Sequence, residues 1–235
     1  MVGEQALVLV LRGRENFLNY VFMKDELGRH WEKREESSSM TLPDHIFTSG
    51  QVGFDYMCNA GYPTDHLFVC GALRYNDLRK NCHLILSKSE LRIQYNIPNQ
   101  KKIIFVATTP IIHETVAMLR SLYLAIKTQK QDSDEIYVVI KRHPNTLSMK
   151  DYQRKFNKII EPWHKIVTHE IVLNSINVHE YIKLSDVILT SGGTIPLEGM
   201  ILGVPSIIFS PNFYFSHNPL YNYPQSAFFV NDTKS

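Results

Sequence analysis

Three short segments carry residue types that could hold a phosphate. The first is Ser191-Gly192-Gly193-Thr194, directly after the apolar run 187–189 and four residues before Glu198. Glycines and hydroxyls between a strand and a helix turn backbone N–H groups toward an anion, and the helix terminus adds positive potential. A helix cap uses the same residue types, but two glycines before Thr194 exceed what a cap requires, so the phosphate reading comes first. Glu198 falls one helical turn beyond Thr194, where a carboxylate accepts from two ribose hydroxyls; a solvated helix glutamate fits that spacing equally well.

The second segment is Lys141-Arg142-His143-Pro144-Asn145, after the apolar run 136–140. Pro144 disfavours the helical region for the residue before it, so a turn presents His143, either as a surface histidine or as a hydrogen-bond donor to a phosphate oxygen. Lys141 and Arg142 offer charge to the same anion, although one of an adjacent pair commonly faces solvent. The third segment holds Thr108, Thr109, Pro110, His113 and Glu114 after the buried-strand candidate 101–106, KKIIFV. Thr108 and Thr109 suit a phosphate-facing loop or a helix start. His113 and Glu114 read as a base and its neighbour or, preferably, as a first helical turn in which Glu complements the dipole.

These segments need a scaffold that brings strand ends together. From residue 101 to 209 apolar runs alternate with helical patterns. Strands are expected at 101–106, 136–140, 166–167, 171–173, 187–189 and just before Phe209, with helices at 114–127, 149–159, 178–186 and after Thr194. That alternation predicts a mostly parallel sheet with helices on both faces, whose ligands lie outside the carboxyl ends of the strands. Upstream, 6–11 reads as a strand, 35–40 as a loose connector, and 42–71 as strand, helix and strand, with Gly61 stopping the helix. The stretch after Asn76 reads as helical to about Leu86 and then as a polar connector through Pro98. The expected division is therefore a partial N-terminal α/β segment and linker, 1–98, and a Rossmann-like α/β domain, 99–235.

Composition excludes more than it selects. The 25 basic and 23 acidic residues leave a net charge of +2, too weak a field to suggest nucleic acid as a partner. Three cysteines, Cys58, Cys70 and Cys82, have no metal-ligand spacing and read as buried reduced thiols of a cytoplasmic protein. No apolar run approaches the length of about 20 residues that spans a bilayer, and the run at 6–11 lacks the flanks of a signal peptide.

The sequence KRHPN, followed by SDVILTSGGTIPLEGMILGVPSIIF, resembles the donor-nucleotide half of GT-B glycosyltransferases with an HP motif. That group includes capsule polysaccharide synthesis proteins, bacterial sialyl- and Kdo-transferases and polyol-phosphate transferases. SPNFYFSHNPLY is similar to the aromatic stretch of capsule-type members, and residues 42–78 resemble the end of the family's N-terminal domain. The resemblance implies an α/β GT-B donor half in which His143 meets the donor phosphate as the catalytic electrostatic group. It implies that Ser191, Gly192, Gly193 and Thr194 hold the phosphate or nucleotide, that Glu198 meets the ribose, and that Thr109 and Arg142 face the same cleft. It implies no cofactor and no metal, a CMP-, CDP- or UDP-linked sugar as donor, a glycan or lipid-linked acceptor, and a location in the cytoplasm or at the inner membrane face. The acceptor side is abbreviated, which implies a truncated relative, a fragment, or a donor subunit with a partner that supplies the acceptor domain. Two alternatives remain: a non-hydrolysing UDP-sugar 2-epimerase, whose usual segment after the last strand is replaced here by FSPNFYFSHNPL, and a nucleotide-binding module without catalysis.

Overall fold

In the computed structural model, residues 9–10, 45–59, 62–129, 133–172, 177–210, 220 and 224–230 are described. The connector 35–40, Gly61 and most of the aromatic segment after Ser210 lie outside them. The chain divides into two compact units, Glu4–Asp77 and Leu78–Ser235, the latter together with Met1–Gly3.

The smaller unit holds β1 (Leu9–Val10), β2 (Ile46–Thr48), helix α1 (Gln51–Asn59) and β3 (Leu67–Val69). β2 pairs with β3 in parallel and with β1 antiparallel. Its core is Ile46, Met57, Tyr62 and Leu67. This is the strand, helix, strand arrangement read from residues 42–71.

The division falls inside α2 (Asn76–Asn81). Where a polar connector was expected, a further helix, α3 (Lys88–Gln94), forms because Ser87 closes a capping box: its hydroxyl accepts from Glu90 N–H while the Glu90 carboxylate accepts from Ser87 N–H. Leu91 and Ile97 carry this segment into the core of the larger unit.

That unit is built on six parallel strands: β4 (Lys102–Ala107), β5 (Ile136–Lys141), β6 (Thr168–Val172), β7 (Val187–Thr190), β8 (Ser206–Phe209) and β9 (Phe228–Val230). Their order is β6-β5-β4-β7-β8-β9, the doubly wound Rossmann order. Where two short strands were expected around 166–173, one strand forms. Ile166 ends a 3-10 turn over Glu161–Lys165, and pairing with β5 starts at Thr168.

Alternation along the strands sends side chains into two cores. Ile103, Phe105, Val139 and Ile188 pack on one face with α3, α6 (Val178–Leu184) and α7 (Ile195–Leu202). Val106, Val138, Ile140 and Leu189 pack on the other with α4 (Ile112–Thr128) and α5 (Lys150–Ile160). The sheet is therefore covered on both sides, as the alternating pattern predicted. All three cysteines are free thiols, but none is buried: Cys58 and Cys82 are partly exposed and Cys70, just past β3, is exposed. No helix among the described residues is long and apolar enough to cross a membrane.

Candidate functional site

Order reverses between β4 and β7, because α4 carries the chain from β4 to β5 on one side and α7 carries it from β7 to β8 on the other. The carboxyl ends of β4, β5 and β7 are adjacent there, and their loops carry the three segments singled out by residue type. Side chains at these ends stitch the loops together. Thr190 Oγ1 lies 2.9 Å from Ala107 O and 2.8 Å from Gly192 O, and it accepts from Gly192 N–H. Thr108 Oγ1 accepts from His143 N–H at 3.0 Å. Tyr152 and Thr115 hydroxyls converge on the carbonyl of Thr109 at 2.9 and 3.2 Å. The Thr108-Thr109 loop is thus bonded to the β5 loop and to the helices that carry Tyr152 and Thr115.

His143 is extended at φ −66° and ψ 133°, as Pro144 requires. Its Nδ1 accepts from Asn145 N–H at 3.3 Å, which leaves the ring proton on Nε2. Partial burial, aided by the charge of Lys141, holds its pKa below the ordinary histidine value. The imidazole is therefore neutral near neutral pH and presents a donor N–H. Burial likewise lowers the pKa of Lys141, against which the charge of Glu198 acts. Arg142 turns elsewhere: its guanidinium stands over the Phe156 ring at 5.2 Å and Nη2 donates to Thr146 O at 3.4 Å.

Gly193 adopts φ +86°, a conformation other residues rarely take, so the turn before α7 depends on that glycine. Thr194 is the N-cap of α7, and Pro196 occupies the first turn. At the far end Gly203, at φ +74°, closes a Schellman motif, with Val204 N–H on Gly199 O at 2.8 Å and Gly203 N–H on Met200 O at 3.3 Å. Gly199 lets the helix lie against β7, since a Cβ there would stand 2.3 Å from Ile188 Cδ1.

Glu198 is buried rather than solvated, at 7% exposure. Its Oε2 lies 3.3 Å from His179 Nε2, which comes from α6. Asn177 caps α6 by accepting from His179 N–H, and Tyr95 donates to Glu180 one residue on, so the helix end that carries His179 is fixed. Glu114 is buried as well, at 7% exposure, and accepts from Thr109 Oγ1 at 3.0 Å and Ser191 Oγ at 3.4 Å. His113 beside it is exposed.

The structure therefore gathers Thr109, His143, Ser191, Gly192, Gly193, Thr194 and Glu198 at one end of the sheet and turns Arg142 away. Glu114 and His179 join them without having been singled out as ligand-binding. Glu114 lay within the third segment, where a first helical turn was the preferred reading, and no motif marks His179. Among the described residues, no group of three or more His, Cys, Asp or Glu is placed to hold a metal ion.

No family model and no curated protein matches the chain. Solved structures do match in fold. UDP-GlcNAc 2-epimerase from Neisseria meningitidis, bound to UDP-GlcNAc, superposes with a TM-score of 0.62 at 14% identity over 82% of this chain and 51% of that one. The UDP-GlcNAc 2-epimerase of Methanocaldococcus jannaschii, in complex with UDP-GlcNAc and UDP, gives 0.59 at 18% identity over 82% and 51%. A glycosyltransferase from Rickettsia africae gives 0.54 at 13% identity over 80% and 49%. The chain spans about half the length of these proteins. At such identities the likeness shows the fold: a Rossmann-like parallel α/β architecture of the GT-B type.

Proposed function

We propose that the protein binds a nucleotide-activated sugar at the β4/β7 switch point and takes part in glycosyl transfer during surface or capsular polysaccharide synthesis. The observation that carries the reading is the convergence of the His143 donor, the Ser191–Thr194 turn at the start of α7, and the buried carboxylate of Glu198. A diphosphate on that turn meets backbone N–H groups and the positive end of α7. His143 Nε2–H donates to the phosphate oxygen that gains charge as the glycosyl bond breaks, an electrostatic role that leaves the proton on the ring. Glu198, oriented by His179, accepts from ribose hydroxyls. The acceptor is a glycan or lipid-linked sugar, and a partner subunit contributes to its site.

A second reading is 2-epimerisation of a UDP-sugar. It is favoured by the epimerases among the structural neighbours, two of which are seen with UDP-GlcNAc bound. A thermal-shift screen of CMP, CDP, UDP and GDP tests the shared premise, because a ligand that binds only the folded state raises the melting temperature. Glu198→Gln combined with His143→Gln is expected to abolish the shift. An unchanged shift would remove the site from consideration. Sugar transfer from the selected nucleotide supports the first reading, and C2 epimerisation supports the second.

A further inference from the structure

Positive charge is concentrated on one helical layer of the larger unit. Residues 150–165 hold five Lys or Arg against two acids, a net +3 where the whole chain carries +2, so the rest of the sequence is slightly acidic. On α5, Lys150, Arg154 and Lys158 recur at four-residue spacing, which puts them on one face, and all three are exposed. The opposite face is committed to the core through Tyr152, Phe156 and Ile160. Lys165, in the turn after α5, is exposed too. Asp151 lies 2.7 Å from Arg154 Nη2 and 2.9 Å from Lys155 Nζ, so one carboxylate answers two cations.

The neighbouring helix continues the pattern. α4 packs beside α5 on the same side of the sheet and exposes Arg120 and Lys127, while its single acid, Glu114, is buried. Exposed apolar side chains stand among these cations. Leu124 falls between Arg120 and Lys127 on one stripe of α4, and Ile111 and Met149 are the N-caps of α4 and α5. Both helices follow the carboxyl ends of their strands, so Ile111 and Met149 belong to the end of the sheet that carries the cleft.

A lone exposed Leu or Met is ordinary. Apolar side chains set within a basic face narrow the choice of partner. An acidic polymer pairs with the cations and leaves the apolar residues in water. An anionic bilayer uses both, because its headgroups attract Lys and Arg and its acyl boundary takes shallow apolar side chains. With its apolar face already in the protein core, α5 does not insert; the contact is adsorption of a preformed surface.

We infer that the α4/α5 layer is a docking face for an anionic lipid bilayer, held by Lys127, Lys150, Arg154 and Lys158 and seated by Leu124 and Met149. It places the cleft beside the lipid surface. The inference is independent of the nucleotide reading, and failure of either leaves the other standing.

The test is sedimentation of the full chain with vesicles of phosphatidylcholine alone or mixed equally with phosphatidylglycerol. Binding is expected to the mixed vesicles only, and to weaken at least about tenfold between about 0.1 and about 0.5 M salt, because screening shortens the reach of surface charge. Each Lys or Arg at an anionic surface is worth about fivefold in affinity, so the triple variant Lys150→Gln, Arg154→Gln, Lys158→Gln is expected to lose about 100-fold. Its melting curve is expected to follow the parent's, since the three side chains are exposed. The charge-preserving triple Lys150→Arg, Arg154→Lys, Lys158→Arg is expected to bind as the parent does. So is Arg79→Gln, Lys80→Gln, Lys183→Gln, which removes equal charge from α2 and α6 on the other side of the sheet. Leu124→Ser with Met149→Ser is expected to weaken vesicle binding at unchanged charge. Absence of binding to mixed vesicles overturns the proposal. Equal losses in the two Gln triples, or binding indifferent to the Ser substitutions, overturn it as well, since attraction would then follow net charge without this face. An acidic polysaccharide that binds the layer when mixed vesicles do not would replace the bilayer as partner.

Discussion

The backbone N–H of Asn145 donates to His143 Nδ1 at 3.3 Å, so a contact two residues along the chain selects the tautomer of the imidazole facing the cleft. The proton then resides on Nε2. Nitrogen-15 spectra of labelled protein are expected to show the Nε2–H form near neutral pH.

Titration of that ring is expected to lie below the ordinary histidine value of 6.5, because burial and Lys141 oppose its charge. The sign follows from linkage: between the two pKa values the unfolded chain binds a proton that the folded chain refuses, so stability falls as pH drops from 6.5 toward the folded value. A His143→Gln variant is expected to lack this component of acid sensitivity. Melting temperatures of both proteins between about pH 7 and 5 check it, and parallel curves would sink the assignment.

Arg142 is expected to act on the fold and not on the ligand. Its guanidinium covers Phe156 and donates to Thr146 O. Arg142→Ala is expected to cost about 1 kcal/mol through lost packing and lost cation–π attraction. Denaturant unfolding measures that loss, while the dissociation constant of the preferred nucleotide should stay within about twofold, a change worth roughly 0.4 kcal/mol.

Gly199→Ala is expected to destabilise by about 1–3 kcal/mol, the usual range for overpacking a core. The added Cβ meets Ile188 Cδ1 at 2.3 Å and the Val204 carbonyl at 3.1 Å. Adding Ile188→Val removes the nearer atom, so the double variant is expected to recover part of the loss. Equal loss in the single and double variants would place the strain at the carbonyl instead.

Asp186, at the amino end of β7, accepts from Lys88 Nζ at 2.6 Å and from Ile103 N–H at 2.7 Å. Burial opposes its charge, but these bonds outweigh it and hold its pKa below the usual value of 3.8. The linkage therefore runs in the usual carboxylate direction: its contribution is complete above 3.8 and is lost as pH falls through the lower folded pKa. Asp186→Ala is expected to cost about 2 kcal/mol near neutral pH, the scale of hydrogen bonds to a charged group, as read by urea unfolding.

Much of this is legible from residue order. The strand-like stretches at 101–106, 136–140 and 187–189 form β4, β5 and β7, whose apolar centres (Ile103–Val106 in β4) suit strands buried on both faces. Strand order is not legible, since it depends on which side each crossover helix packs. Helix α3 escapes the pattern although Ser87 and Glu90 spell a capping box, because Pro98 and the polar residues before it give the segment the composition of a connector. At the site, the Ser191–Thr194 turn and His143 carry local signals. Glu114 stood in the third segment with a first helical turn as its preferred reading, and His179 carried no signal, because what ties them to the cleft is contact with Ser191 and Glu198, 77 residues away for the first pair.

The bare approach at Gly199 sets how this cleft can vary. Gly199 lets α7 pack directly on β7, and Gly203 ends the helix at its far side. Residues inserted into the Ser191–Thr194 turn would have to grow into the cleft. Loop length at that one position is therefore a dial on ligand volume, adjustable without repacking the sheet.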